Sequence, residues 1–210
     1  MRILIIAGGS LPPLSLLKAD YFNNKYIIAV DGGVKYCFDN KLKIDLAVGD
    51  FDSIDEATKD LMVEKNINKR EFPADKDMTD FELALSMAVD MDANHITIWG
   101  ATGSRLDHTM INVQLLKKYH RRGKQIKIVD RTNEIIYANE SLEIDRNDKF
   151  YISIVPTDKK AIFSLRGVKW PLTRHEIEYG SSFTISNEIV EDKAKIDIEK
   201  GDIFIFLSRD

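Results

Sequence analysis

Apolar residues run unbroken over Ile3 to Ala7, Tyr26 to Val30, Leu46 to Val48 and Ile96 to Trp99. Such runs fit strands buried on both faces of a parallel sheet. Between them the apolar spacing changes to three and four residues, which predicts helices over 33–42, 55–66, 79–91 and 106–122. In the third of these, Phe81, Leu85, Ala88 and Val89 share one face. A further strand, Gln125 to Asp130, follows Gly123. Strand–helix alternation implies right-handed crossovers and an α/β fold, a doubly wound, mostly parallel sheet with helices on both faces. After Asp130 the pattern shifts to short alternating segments at 134–139, 141–145, 149–156, 161–165, 182–186, 193–198 and 202–207, with turn residues between them and no helical period. Segments at that spacing predict antiparallel strands in a β-sandwich or open barrel. Arg166 to Gly180 stands out there as an irregular stretch. The chain therefore divides into an α/β domain, 1–134, and a β domain, 135–210.

Composition changes this picture little. The 210 residues are 44% hydrophobic and 30% charged, enough apolar material for a real core. The net charge of -4 and the absence of a basic stripe argue against nucleic acid as a partner. A single cysteine, Cys37, rules out an intrachain disulfide, fits a reducing compartment and reads as a small core residue. The opening "MRILIIAGGS" is too short for a signal sequence, and no stretch approaches the ~20 apolar residues of a membrane span. These features predict a cytoplasmic protein without a membrane partner.

Candidate chemistry gathers at the strand ends: "AGGS", "AVDGG" with Asp31, "AVGDFDS" with Asp50 and Asp52, and "WGATGSRLDH". Ligands of open parallel sheets bind beyond the carboxyl ends of the strands. Asp50 and Asp52, one residue apart on an extended chain, would point to one side with Cα atoms about 7 Å apart. Two like charges that close call for a cation between them. Ser53-x-x-Glu56 and Thr79-x-x-Glu82 read as capping boxes, and the second places Asp80 in a first helical turn. Asp80 and Asp77 would add oxygen ligands, and a hard oxygen set without His or Cys suits Mg²⁺. In "GATGSRLDH", Gly100 and Gly103 would let backbone N–H groups approach an anion, and Arg105 would fork onto phosphate oxygens. Asp107 would either cap the following helix or hold a ribose or amine. His108 lies in that helix's first turn, where a structural and a functional role are both open.

Taken in order, "DGG" at Asp31, "GDFDS" at Gly49, "DKDMTDFELAL" at Asp75, "GATGSRLDH" at Gly100, "GVKWPL" and "ISNE" resemble the thiamine pyrophosphokinase (thiamin diphosphokinase) family across nearly the whole chain. The resemblance implies an α/β nucleotide-binding catalytic domain followed by a β-sandwich that binds thiamine. It implies transfer of the diphosphate of ATP to the hydroxyl of thiamine, leaving AMP. It also implies a homodimer with each site built from two chains. On this reading Mg²⁺ is held by Asp50, Asp52 and Asp80, and Asp80 or Asp31 accepts the hydroxyl proton. The nucleotide is held by Asp31, Gly32, Thr79, Gly103, Arg105, Asp107 and His108. Trp170, Ser186 and Asn187 hold the thiamine rings. A diphosphokinase for another small alcohol such as a pterin, or a Mg²⁺–nucleotide sensor without turnover, would share the α/β half.

Overall fold

The computed structural model describes residues 1–52, 54–72 and 77–210, with the side chains of Ala19 and Asp20 excepted. The chain separates into two units, Met1–Arg131 and Thr132–Asp210.

The first unit runs β1 (Arg2–Ile6), α1 (Leu14–Asn23), β2 (Tyr26–Val30), α2 (Gly32–Asp39), β3 (Leu46–Gly49), α3 (Glu56–Glu64), β4 (Lys69–Glu71), α4 (Asp80–Asp90), β5 (His95–Trp99), α5 (Leu106–Tyr119) and β6 (Gln125–Val129). Its strands lie in the order β6-β5-β1-β2-β3-β4, every neighbouring pair parallel. Both faces of the sheet are covered, as the unbroken apolar runs require. Leu4, Ile6, Ile27, Ala29 and Ala47 pack with Leu17 of α1, Val34 and Cys37 of α2 and Met62 of α3. The alternate positions Ile3, Ile5, Ile28 and Val48 are equally buried, and α4 packs on β1, β2 and β3 and on α5. The order reverses at β1, flanked by β2 on one side and β5 on the other, so a crevice opens beyond these strand ends.

Two elements of this unit fall outside the sequence expectation. Helix α1 follows Pro12–Pro13 and has no single apolar stripe, since Leu17 is fully buried while Leu16 and Phe22 are exposed. Proline immediately before a first helical turn starts a helix rather than breaking one. Strand β4 is three exposed charged residues added in parallel to the edge of β3, a composition that blunts a sheet edge. The start of α3 also differs. Asp55 is its N-cap, its Oδ1 accepting from the Thr58 backbone N–H at 2.8 Å, while the expected cap Ser53 lies outside the described residues. Thr79 caps α4 as expected, accepting from Glu82 N–H at 3.2 Å.

The second unit contains β7 (Asn133–Ala138), β8 (Leu142–Asp145), β9 (Tyr151–Pro156), β10 (Lys160–Arg166), β11 (Leu172–Glu178), β12 (Asn187–Glu188), β13 (Lys193–Lys200) and β14 (Ile203–Ser208). These form two antiparallel sheets, β12-β9-β14-β7 and β11-β10-β13-β8. Ile152, Ile154, Ile203 and Ile205 of the first sheet meet Phe163, Leu165, Ile177 and Ile196 of the second in one core, a β-sandwich.

Two sequence readings are corrected here. Residues 182–186 form no strand. The chain turns there, with Ser186 at φ 60 and Phe183 and Ile185 exposed. Thr184 accepts from Ile154 N–H and donates its hydroxyl to Ile154 O, and Ser186 N–H donates to Ser153 Oγ, so single bonds rather than a ladder tie it to β9. The irregular stretch instead supplies β11. Arg174 sits at φ 45, in a bulge where the register against β10 shifts between Phe163 and Leu165. The extra residue brings Leu172 and Ile177, five apart, to one face and hides the alternation in the sequence.

Candidate active site at the sheet switch point

A cleft of ≈ 940 Å³ opens beyond the carboxyl ends of β1, β2, β3 and β5 in the first unit. Asp31, Gly32, Asp50, Asp77, Thr79, Asp80, Gly103, Arg105 and His108 all line it. Gly8, Gly9, Thr109 and Asn112 also line it. Nothing in the local sequence marked Thr109 and Asn112, because α5 presents them only once it is folded.

Carboxylate oxygens of Asp31, Asp50 and Asp80 lie within 4.8 Å of one another, each residue half-buried. Three different strand and helix ends deliver them. Asp31 is the first residue beyond β2, Asp50 the first beyond β3, and Asp80 opens α4. Asp31 adopts φ 44 and ψ -116, a combination found mainly in glycine turns. Its N–H donates to Val48 O at 3.1 Å, which ties the end of β2 to the end of β3. Gly49 makes the room for its carboxylate, since a Cβ there would stand 1.9 Å from Asp31 Oδ1. Gly33 does the same for the helix behind it, where a Cβ would stand 2.0 Å from Ile6 O. Three partly desolvated carboxylates this close repel one another unless a cation sits among them.

Asp52 does not join this cluster. The expectation that Asp50 and Asp52 share a side fails because Phe51 has φ 57 and turns the chain, and the Asp52 N–H donates back to Asp50 Oδ1 at 3.2 Å. Phe51 itself packs into the core at 5% exposure. Asp52 is exposed and lines a second pocket of ≈ 470 Å³ with Lys59, Met62 and Lys69, which adjoins the cleft at Asp50. Asp75 lies outside the described residues.

The glycine-rich turn after β5 is held from several directions. Gly9 N–H donates to Gly100 O at 2.9 Å and Ser10 N–H to Thr102 O at 2.7 Å. Asn112 Nδ2 donates to Ala101 O at 2.8 Å, and Thr102 Oγ1 to Asp130 Oδ2 at 2.8 Å. Gly103 N–H, expected to face an anion, donates instead to Thr109 Oγ1 at 3.1 Å. Arg105 occupies the N-cap position of α5 without a side-chain cap bond. Its Nε and Nη2 donate to the two oxygens of Asp107 at 3.3 and 2.7 Å, with both side chains exposed. Asp107 sits inside the first turn of α5 rather than at its N-cap, its carboxylate also accepting from His108 N–H, and it is not among the residues that line the cleft. The Arg105 guanidinium holds its carboxyl down at about 2.

In the second unit, hydrogen bonds join Trp170 to Asn187, and Ser186 is the residue before Asn187 in the chain. Asn187, 7% exposed, accepts from Trp170 N–H at 3.1 Å and from Glu188 N–H at 2.9 Å through Oδ1, and its Nδ2 donates to Trp170 O at 2.8 Å. Its amide is a clamp on the Trp170 backbone, where the sequence reading had it facing a ligand. The Trp170 ring is 54% exposed, with Lys169 Nζ 4.7 Å from its centroid and that ammonium bonded to Glu188 at 2.8 Å. Ser186 N–H donates to Ser153 Oγ at 2.9 Å.

Residues 19–129 match the family model of the thiamin pyrophosphokinase catalytic domain, and residues 139–203 match that of the thiamin pyrophosphokinase vitamin B1 binding domain. The chain belongs to the thiamin pyrophosphokinase family. Thiamine pyrophosphokinase of Bacillus subtilis (strain 168) is 32% identical over 211 residues, covering 99% of both chains. The crystal structure of thiamine pyrophosphokinase from Bacillus subtilis superposes with a TM-score of 0.90 at 30% identity over 100% of both chains. That of thiamin pyrophosphokinase from Geobacillus thermodenitrificans gives 0.87 at 33% identity, covering 100% of this chain and 98% of the other. The aspartate cluster falls inside the thiamin pyrophosphokinase catalytic match, and Trp170 and Asn187 inside the vitamin B1 binding match.

Proposed function

We propose that the chain transfers the diphosphate of ATP to the hydroxyl of thiamine, giving thiamine diphosphate and AMP. The observation that carries this reading is the Asp31–Asp50–Asp80 oxygen cluster inside a cleft at the sheet switch point of a thiamin pyrophosphokinase fold. The donor set is all carboxylate, which fits Mg²⁺. Mg²⁺ bound there supplies charge neutralisation at the transferring phosphates. The thiamine hydroxyl oxygen forms a bond to the β-phosphorus, and the bond from that phosphorus to the α–β bridging oxygen breaks, so AMP leaves with the electron pair. The hydroxyl proton passes to a carboxylate of the cluster, with Asp80 and Asp31 the candidates. Such transfers depend on alignment and charge more than on a strong base.

Arg105 holds the phosphates. Asp107 takes Nε and Nη2 of its fork, and the remaining N–H groups stay available to phosphate oxygens. Gly32 at the start of α2 faces the same cleft, where a helix N-terminus favours an anion. Thr79 and His108, also in its wall, complete the nucleotide site. In the second unit the exposed Trp170 ring offers a face for the thiamine rings, whose fixed positive charge adds attraction. Asn187 acts there through the Trp170 backbone. Exposed Trp170, Phe183 and Ile185 support a homodimer in which a second copy completes each site. A single, buried cysteine, Cys37, leaves no intrachain disulfide, which suits the reducing cytoplasm. No helix among the described residues is long and apolar enough to cross a membrane.

Single substitutions test the assignment through AMP release in the presence of thiamine. Asp31→Asn, Asp50→Asn and Asp80→Asn each lose roughly 100-fold or more in turnover, because each removes a charged ligand from the cluster. Asp52→Asn keeps turnover within about tenfold of the unsubstituted protein. Circular dichroism stays unchanged in all four. Equal loss in Asp52→Asn and Asp50→Asn, or none in any variant, overturns the assignment.

A further inference from the structure

Thr109 stands one turn into α5 and touches both ends of the Gly103–Arg105 segment. Its backbone N–H donates to Arg105 O at 3.0 Å. Its hydroxyl oxygen accepts from Gly103 N–H at 3.1 Å and lies 3.4 Å from Gly103 O. Ser104, between these two anchors, is exposed and makes room for no packing that would fix the turn by itself. A Cβ added at Gly103 would meet Ser10 and Gly9 only at ordinary contact distance, 3.8 Å or more, so no tight packing fixes the turn there. The backbone of the segment is therefore shaped by hydrogen bonds, and the side-chain bonds made to that backbone converge on a single hydroxyl. The upstream part of the turn is anchored separately, by Asn112 on Ala101 and by Asp130 on Thr102.

We infer that Thr109 is a positioning residue, whose hydroxyl holds the turn so that Arg105 is presented to the cleft. The inference rests on the reading that Arg105 binds ATP phosphates. Without the hydroxyl, Gly103 N–H loses its acceptor and can turn to solvent, and the backbone that carries Arg105 loses its upstream anchor. The α5 bond from Thr109 N–H to Arg105 O survives any substitution at this position, so the helix start is kept and the turn alone is loosened. A long, exposed side chain such as Arg105 then samples more orientations, and its fork meets a polyphosphate less often in the two-point geometry. The effect belongs to ATP and leaves thiamine binding untouched.

The test is a double-mutant cycle on the full chain, with steady-state KM for ATP and for thiamine, kcat and thermal midpoint measured for each variant. Thr109→Val, an isostere without the hydroxyl, raises the KM for ATP about tenfold, the factor one lost hydrogen bond can carry. The KM for thiamine stays the same. Thr109→Ser, which restores the hydroxyl, returns the KM for ATP to within about twofold. Arg105→Ala raises the KM for ATP by itself, and adding Thr109→Val to it costs no more than about twofold further. Thr109→Ala runs beside Thr109→Val, so that poor folding of one variant leaves the other to decide. Full additivity of the two substitutions, or an unchanged KM for ATP in Thr109→Val and Thr109→Ala while Arg105→Ala is impaired, overturns the inference alone. An unchanged KM for ATP in Arg105→Ala overturns the phosphate reading of Arg105, and the inference with it.

Discussion

Asp31 holds a backbone conformation that glycine adopts readily and aspartate does not, at φ 44 and ψ -116. Strain of this kind collects at functional sites because the carboxylate is needed where the turn puts it. Asp31→Gly is therefore expected to raise stability by about 1 kcal/mol in chemical denaturation while abolishing turnover, the relief of strain exceeding the entropy glycine adds to the unfolded chain. Lower stability together with lost turnover would show that the conformation is not strained. The sequence pointed to Asp31, Asp50 and Asp80 as acids at strand and helix ends, and all three line the cleft. It misplaced Asp52, because a period of two holds only while the backbone stays extended and the burial of Phe51 turns it. The hydrogen bonds of Gly103 and Asn187 were hidden for a related reason. Residue type tells which hydrogen bonds a group can make, and the fold decides that Thr109 and the Trp170 backbone receive them.

Glu82 of α4 reaches across to α5. Glu82, 8% exposed, accepts from Lys118 Nζ at 2.6 Å and from Tyr119 Oη at 3.2 Å. The sequence read Glu82 as half of a capping box. The Thr79 half forms, while the glutamate reaches across to the neighbouring helix. Glu82→Leu leaves the Tyr119 hydroxyl without this acceptor and is expected to cost roughly 1–3 kcal/mol in chemical denaturation. Glu82→Gln, which keeps an acceptor, costs less. Equal stability of Glu82→Leu and the parent would reduce this pair to surface decoration. Elements with a strong period were legible: β1, β2, β3, β5 and the helices α2 to α5 all follow the apolar spacing. Those that rest on tertiary partners were not. Helix α1 lacks a stripe, β4 is three charged residues on an edge, and β11 hides its alternation behind the bulge at Arg174.

The change of apolar period after Asp130 marks where one kind of architecture gives way to another, and the chain separates after Arg131. The proposed chemistry divides with it, metal and phosphates in the first unit and thiamine in the second. If two copies share their sites, inactive Asp50→Asn and Trp170→Ala proteins recover activity when mixed and allowed to exchange subunits, since one site of each mixed dimer then has both intact parts. Demonstrated exchange without recovered activity would confine each site to a single chain. The central claim is diphosphate transfer, and product analysis tests it most directly. The full chain is incubated with ATP, Mg²⁺ and thiamine, and nucleotides and thiamine esters are separated and quantified. The account predicts AMP and thiamine diphosphate in equal amounts, with no product when Mg²⁺ is chelated. Formation of ADP with thiamine monophosphate, or AMP without a thiamine ester, would contradict it.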